Sequence, residues 1–375
     1  MDRIYFDYNA TTPLAPEVIA AMRPYLEELH GNPSNTHWAG KRGRDAVDRA
    51  RGQIARLLNC EPAEVLLTSG GTEANNSALA GLFFTHHGKT SPHFIVSTVE
   101  HPAISKTCDF LERMGAQMTR VPVDRFGQVD PEDIRRALRP NTALVSIMHA
   151  NNEVGTIEPI AEIAAIARER GVLMHTDAAQ TAGKLSVDVQ KLSVDLLSVA
   201  GHKMYAPQGV GALFIRNGVR LEPLMHGAGH ESGRRAGTEN VLEIVGLGAA
   251  AELACARTDQ SAIVRLRDHF WNRLREEFGN RVVLNGHPQQ RLPNTLSISF
   301  VGQSGQAILS RISSLAASTG SACHAGSYDL SPVLVAMGLP EQVAIGTIRF
   351  SLGRNSTQHE VETVVAQLKK AINHD

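Results

Sequence analysis

The chain has 375 residues, with 37 lysines and arginines against 38 aspartates and glutamates, a formal charge of −1. That balance excludes a general nucleic-acid binder, because phosphate affinity is mostly electrostatic and needs clustered basic side chains. With 42% apolar residues the chain is too apolar to be disordered, and its length suggests about two domains.

The N-terminal run Met1-Asp2-Arg3-Ile4-Tyr5-Phe6-Asp7 has no apolar signal core. The longest apolar tract, 242–256, is broken by Glu243 and Glu252 and falls short of the roughly 20 residues a membrane span needs. A cytoplasmic protein with no membrane partner is expected. Lys41-Arg42-Gly43-Arg44 is answered by Asp45 and Asp48 and reads as a solvated helix. Cys60, Cys108, Cys255 and Cys323 form no CxxC pair, so neither a disulfide scaffold nor a structural metal is expected.

From about residue 64 to 215, short apolar runs alternate with helical stretches. Strands are predicted at 65–68, 93–98, 118–121, 143–148, 172–175, 196–199 and 212–215, with amphipathic helices at 103–114, 130–138 and 160–170. Continuous apolar strands separated by helices are the mark of a mostly parallel sheet covered on both faces, an α/β fold. After about residue 256 a long helix (263–277), strands at 295–300 and 347–352 and a closing helix (359–372) predict a smaller α+β unit.

Ligands of open α/β sheets bind beyond the carboxyl ends of the strands. Following five of the predicted strands are Ser69-Gly70-Gly71-Thr72, Glu100-His101, His149-Ala150-Asn151-Asn152, Asp177 with Gln180, and Gly201-His202-Lys203. Singly, each is an ordinary polar group at a strand end, and the Ser/Gly turn an ordinary helix cap. Together they supply a backbone cradle for phosphate, a carboxylate and a lysine, which is what pyridoxal 5'-phosphate requires. Lys203 is the Schiff-base candidate, and Asp177 the partner that keeps the pyridinium nitrogen protonated.

The residues also carry a resemblance. Asp7-Tyr8-Asn9-Ala10-Thr11-Thr12-Pro13, Gly31-Asn32-Pro33-Ser34, 68–76, Val99-Glu100-His101, 149–155, 175–180, Gly201-His202-Lys203, Arg235-Ala236-Gly237-Thr238-Glu239-Asn240, Ser321-Ala322-Cys323 and 348–354 are similar, in order, to the cysteine desulfurases. These belong to the class-V aminotransferase-like group of fold-type I pyridoxal-phosphate enzymes. The resemblance implies a large cofactor-binding domain at 15–255 with a seven-stranded sheet. It implies a small domain, at 1–14 and 256–375, that carries the cysteine loop.

Residue by residue, the resemblance implies that Lys203 holds the cofactor and His101 stacks on its ring and assists proton transfer. Gly71, Thr72, Ser198 and His202 would bind the phosphate, and Asn152 and Gln180 the phenolic oxygen or substrate. Arg349, with Asn32, would clamp the substrate carboxylate, a task that suits the guanidinium fork. Thr238 would reach the phosphate of a neighbouring subunit's cofactor, which implies a homodimer. Cys323 would be the nucleophile that takes sulfur from L-cysteine, leaving L-alanine and a persulfide. The sulfur would pass to an acceptor protein such as an iron–sulfur scaffold, or to tRNA thiolation. The segment 316–327 is nearly all small residues, which suits a cysteine that must travel; the other three cysteines lie in helix-like contexts and read as packing.

Ala200 and Ala206 stand where the housekeeping branch has serine and glycine, and with 234–240 they are closer to the NifS-type branch. The segment after Cys323, Tyr328-Asp329-Leu330-Ser331-Pro332, departs from the usual pattern and is similar to selenocysteine lyases. L-selenocysteine is therefore the alternative substrate. More distant alternatives are another pyridoxal-phosphate aminotransferase-like enzyme and a non-catalytic sulfur-carrier scaffold, and the latter has no use for Lys203, Asp177, His101, Arg349 and Cys323 together.

Overall fold

The computed structural model describes residues 3–86, 91–257, 259–319 and 330–372. In chain order its strands are β1 (Ile4–Tyr5), β2 (Val65–Thr68), β3 (His93–Ser97), β4 (Gln117–Val121), β5 (Thr142–Ser146), β6 (Leu173–Asp177), β7 (Leu196–Ala200) and β8 (Gly211–Ile215). There follow β9 (Val282–Asn285), β10 (Thr295–Phe300), β11 (Leu315–Ala316), β12 (Ser318–Thr319) and β13 (Thr347–Ser351). β2 to β8 are the seven strands expected, each within two residues of its predicted bounds.

These seven form one sheet in the order β2-β8-β7-β6-β5-β3-β4. It is parallel from β7 to β4, while β8 runs antiparallel to both β2 and β7. Successive residues of a strand point to opposite faces, and two apolar cores follow from that. Leu66, Phe94 and Leu144 pack with the helices Gly71–His86 and Pro102–Arg113. Their neighbours Leu67, Ile95 and Val145 pack with the helices Trp38–Leu58, Ile160–Glu169 and Val241–Ala256.

The apolar tract 242–256 is thus a core helix. Gly248 lets it press against Trp38–Leu58, since a Cβ there would lie 2.7 Å from the Cα of Ala50. No helix among the described residues is long and apolar enough to cross a membrane.

A second, antiparallel sheet has the order β12-β13-β10-β9, and β1 pairs in parallel with β11. The helices Ser261–Phe278 and Gln358–Ile372 cover it, with Phe6, Phe270 and Phe350 at the centre of their shared core. A smaller cluster joins Val99, Met148 and Val154 to Val333, Leu334 and Met337.

Candidate active site

The carboxyl ends of β2, β3, β5, β6 and β7 open on a cavity of about 340 Å³. Asp177 is the last residue of β6 rather than a residue beyond it, and is buried. Its two oxygens are held from two sides: Asn75 Nδ2 donates to Oδ2 at 2.7 Å and the Ala179 amide to Oδ1 at 2.8 Å. Asn75 Oδ1 is buried without a partner. Sequence reasoning missed Asn75, although it lies on the apolar stripe of its helix with Ala78, Leu79 and Leu82, where a buried amide needs a reason.

Lys203 closes the one-turn helix Gly201–Lys203 that follows β7, half-buried in the cavity wall. Burial, aided by repulsion from Arg349, holds its amine below the usual lysine range, while Asp177 acts in the opposite sense. Among the described residues its Nζ has no hydrogen bond or ion pair. An amine that is desolvated and unpaired is available as a nucleophile.

His101 caps the helix Pro102–Arg113, its Nδ1 accepting from the Ala103 amide at 3.1 Å. In the neutral ring the proton is therefore on Nε2. Burial, and then the Lys203 charge, lowers its pKa and favours the neutral ring, while Asp177 acts in the opposite sense. His202 lines the cavity beside Lys203, and its Nδ1 lies 3.1 Å from Thr11 Oγ1.

Gly71 and Thr72 open the helix Gly71–His86 at the cavity, where free N–H groups face anions. The turn before them is packed against β8, and a Cβ at Gly211 would lie 2.7 Å from Gly70 Cα. Only glycine lets the strand pass so close.

Arg349, on β13, reaches the same cavity from the second sheet. Its Nη2 donates to Asp7 Oδ1 at 2.6 Å and its Nη1 to the Asn152 carbonyl at 2.9 Å, while Nε is buried without a partner. Gln180 is buried and lines the cavity, and its Nε2 donates to the Asn9 carbonyl at 2.9 Å.

Three expectations need correction. Ser198 does not reach the cavity: it is fully buried and its hydroxyl lies 3.0 Å from His175 Nε2. It sits two residues before the end of β7, about 7 Å short of the rim, and the position at the rim is Ala200. Asn32 lies exposed in a loop, its Oδ1 accepting from the Ser34 amide at 2.9 Å, so within one chain it does not stand beside Arg349. Cys60 lies just past the αL cap Asn59 of the helix Trp38–Leu58 rather than in it, whereas Cys108 and Cys255 are helical. Thr238 is exposed beside a separate cavity lined by Thr68 and Arg235. Cys323 lies outside the described residues.

The chain belongs to the class-V aminotransferase family, whose pattern matches residues 4–364. It is 46% identical to a cysteine desulfurase IscS of Dictyoglomus turgidum, across 98% of this chain and 94% of that one. A solved NifS-like protein superposes with a TM-score of 0.92 at 34% identity, covering 99% of each chain. SspA, solved in complex with cysteine, superposes with a TM-score of 0.84 at 36% identity, covering 93% of this chain and 98% of that one. Within its family the chain is thus a member of the cysteine desulfurases.

Proposed function

We propose that the chain binds pyridoxal 5'-phosphate and removes sulfur from L-cysteine, giving L-alanine and a persulfide on Cys323. What carries the reading is one cavity faced by Lys203 and Asp177 from the ends of adjacent strands, with a helix N-terminus at its edge. The residues fit the cofactor: an unpaired amine for its aldehyde, a carboxylate held by two donors for its pyridinium nitrogen, and free amides for its phosphate. When bound, the cofactor supplies an electron sink for the substrate's α-carbon.

The side chains divide the remaining work. Lys203 would hold the cofactor through its aldehyde and would take up the substrate's α-proton. His101, whose Nδ1 accepts from the Ala103 amide, would face the cofactor ring and handle protons through Nε2. Arg349 orients the substrate carboxylate, which competes with Asp7 for its guanidinium. Cys323 thiolate then attacks the substrate sulfur. An S–S bond forms and the Cβ–S bond breaks, its electron pair staying on Cβ, which takes a proton to become the methyl group of alanine. The sulfur is oxidised to the persulfide level as Cβ is reduced, so no outside oxidant is needed. A thiol on an acceptor protein, such as an iron–sulfur scaffold, accepts the outer sulfur.

Two further assignments go with this reading. Residues 15–255 form a cofactor-binding domain, and 1–14 with 256–375 a small domain; separate apolar cores at 15–251 and at 4–6 with 270–372 support the division. Thr238, exposed and away from its own chain's cavity, serves the site of a second copy in a homodimer.

The test is alanine formation from L-cysteine and from L-selenocysteine, side by side, with added cofactor and reductant. Turnover of cysteine, abolished in Cys323→Ala, is the expected result. Alanine from selenocysteine alone would make the chain a selenocysteine lyase, and full turnover by Cys323→Ala would overturn the nucleophile assignment.

A further inference from the structure

Behind Gln180 lies a cation that the proposed chemistry does not use. Lys184 Nζ is 3.0 Å from Gln180 Oε1 and 3.3 Å from Asn9 Oδ1, and it has no ion pair with any described residue. An ammonium has only donors, so the Gln180 atom facing it must be the amide oxygen. On its other side Gln180 meets the Asn9 carbonyl at 2.9 Å, a pure acceptor, so the atom there must be Nε2. The two contacts assign one amide orientation independently, and they leave the second Nε2 hydrogen for the cavity that Gln180 lines.

Asn9 cannot rotate to relieve this arrangement. Its Nδ2 donates to Thr295 Oγ1 at 2.8 Å and to the Asn152 carbonyl at 3.2 Å, and its Oδ1 also accepts from Asn294 Nδ2 at 3.1 Å. Lys184 therefore sits on two amide oxygens whose far ends are pinned.

We propose that Lys184 is a positioning residue: it locks the Gln180 amide as a donor to the cavity, and its charge favours an anionic ring oxygen there. The inference rests on the reading that the cavity holds pyridoxal phosphate. Burial, with repulsion from Lys203 and Arg349, brings the Lys184 amine down to about 7. The anionic oxygens of a bound pyridoxal phosphate would add negative charge beside Lys184 and favour its protonated form. Of the other ionisable groups on this side, Asp177 acts on Lys203 and the two histidines 101 and 202 feel it. On the far side Lys184 lines a second cavity of about 580 Å³ with Asp259, Arg257 and Arg354, and both arginines pair with Glu17.

The experiment compares wild type, Lys184→Met and Lys184→Arg, each stripped and titrated with pyridoxal phosphate. The readouts are cofactor Kd and the pH midpoint of the visible absorption band. In Lys184→Met the Kd is expected to rise about tenfold, as when a hydrogen bond to a charged group is lost. The midpoint should rise by about one pH unit, because a positive neighbour that opposes protonation is gone. Lys184→Arg keeps donor and charge and should stay within about twofold of wild type in Kd. A folded Lys184→Met protein with wild-type Kd and midpoint overturns the inference and leaves the function standing. If the methionine variant does not fold, Lys184→Gln, which keeps a donor and loses the charge, is judged by its midpoint in the same way. A wild-type protein that takes up no cofactor overturns both.

Discussion

Asn75 Nδ2 donates a 2.7 Å hydrogen bond to Asp177 Oδ2, tying a helix on one face of the sheet to the carboxyl end of β6. Only one other donor, the Ala179 amide, is recorded on that carboxylate among the described residues. Replacing Asn75 with alanine removes one of two donors from a buried charge, a loss of about 1.5–3 kcal/mol. Cofactor affinity is expected to fall by about tenfold or more, measured by absorbance titration of the stripped protein. Wild-type affinity in Asn75→Ala would mean that Asp177 holds its orientation through the backbone alone.

Arg349 presents a planar fork to the cavity while bonded to Asp7 and to the Asn152 carbonyl. Lysine at this position keeps the charge and loses the fork, so the KM for L-cysteine in Arg349→Lys is expected to rise about tenfold or more with a smaller change in kcat. Steady-state alanine formation measures both constants. An unchanged KM would take the substrate carboxylate away from Arg349.

The cysteines should separate by reactivity. Burial pushes the Cys60 and Cys108 thiols up to about 12, with nearby glutamates adding to the effect at Cys60, and raises Cys255 less. At pH 8 the first two carry about one thiolate in 10⁴, too little to react at a useful rate. Brief alkylation with iodoacetamide followed by peptide mass mapping is expected to leave both unlabelled while Cys323 is modified. Labelling of Cys108 in the folded protein would contradict its burial.

Stability should respond to pH through two buried carboxyls. Burial pushes Glu100 and Glu158 up to about 8, so the folded state keeps protons there that the unfolded chain releases near 4.5. Their contribution is complete below about 4.5 and is lost as pH rises through about 8. His149 and His175, pulled down to about 4 by burial, act in the opposite direction, and their contribution is lost as pH falls from 6.5 to 4. The two effects offset each other between about pH 4.5 and 6.5, so the thermal midpoint is expected to be nearly flat there and to drop by several degrees from pH 6.5 to pH 9. Glu100→Gln, neutral at every pH, should reduce that drop. An alkaline limb no shallower in Glu100→Gln would assign the loss to other groups.

Most strands of the main sheet were legible because they are short apolar runs between turn residues, which is all that a strand buried on both faces needs; the edge strand β4, with Gln117 and Arg120 exposed, was legible only through Met118 and Val121. Lys203, Asp177, His101, Gln180 and Arg349 were legible too, as polar groups at strand ends or in family motifs, and the fold brings them to one cavity. Ser198 was misplaced because sequence spacing does not say how far a strand runs: at two residues from the end of β7 its hydroxyl meets His175 in the sheet interior. Asn75 was hidden by its neighbours, a polar residue in an apolar helix whose partner lies 102 positions away.

Local order along this chain follows from side-chain period, glycine placement and the chemistry of strand ends, all of which act over a few residues. Which carboxylate pairs with Arg349, which carbonyl fixes the Gln180 amide and which side-chain amide reaches Asp177 depend on groups far apart in sequence. Those are settled when the folded core excludes water, because each buried donor must then find its acceptor inside the protein.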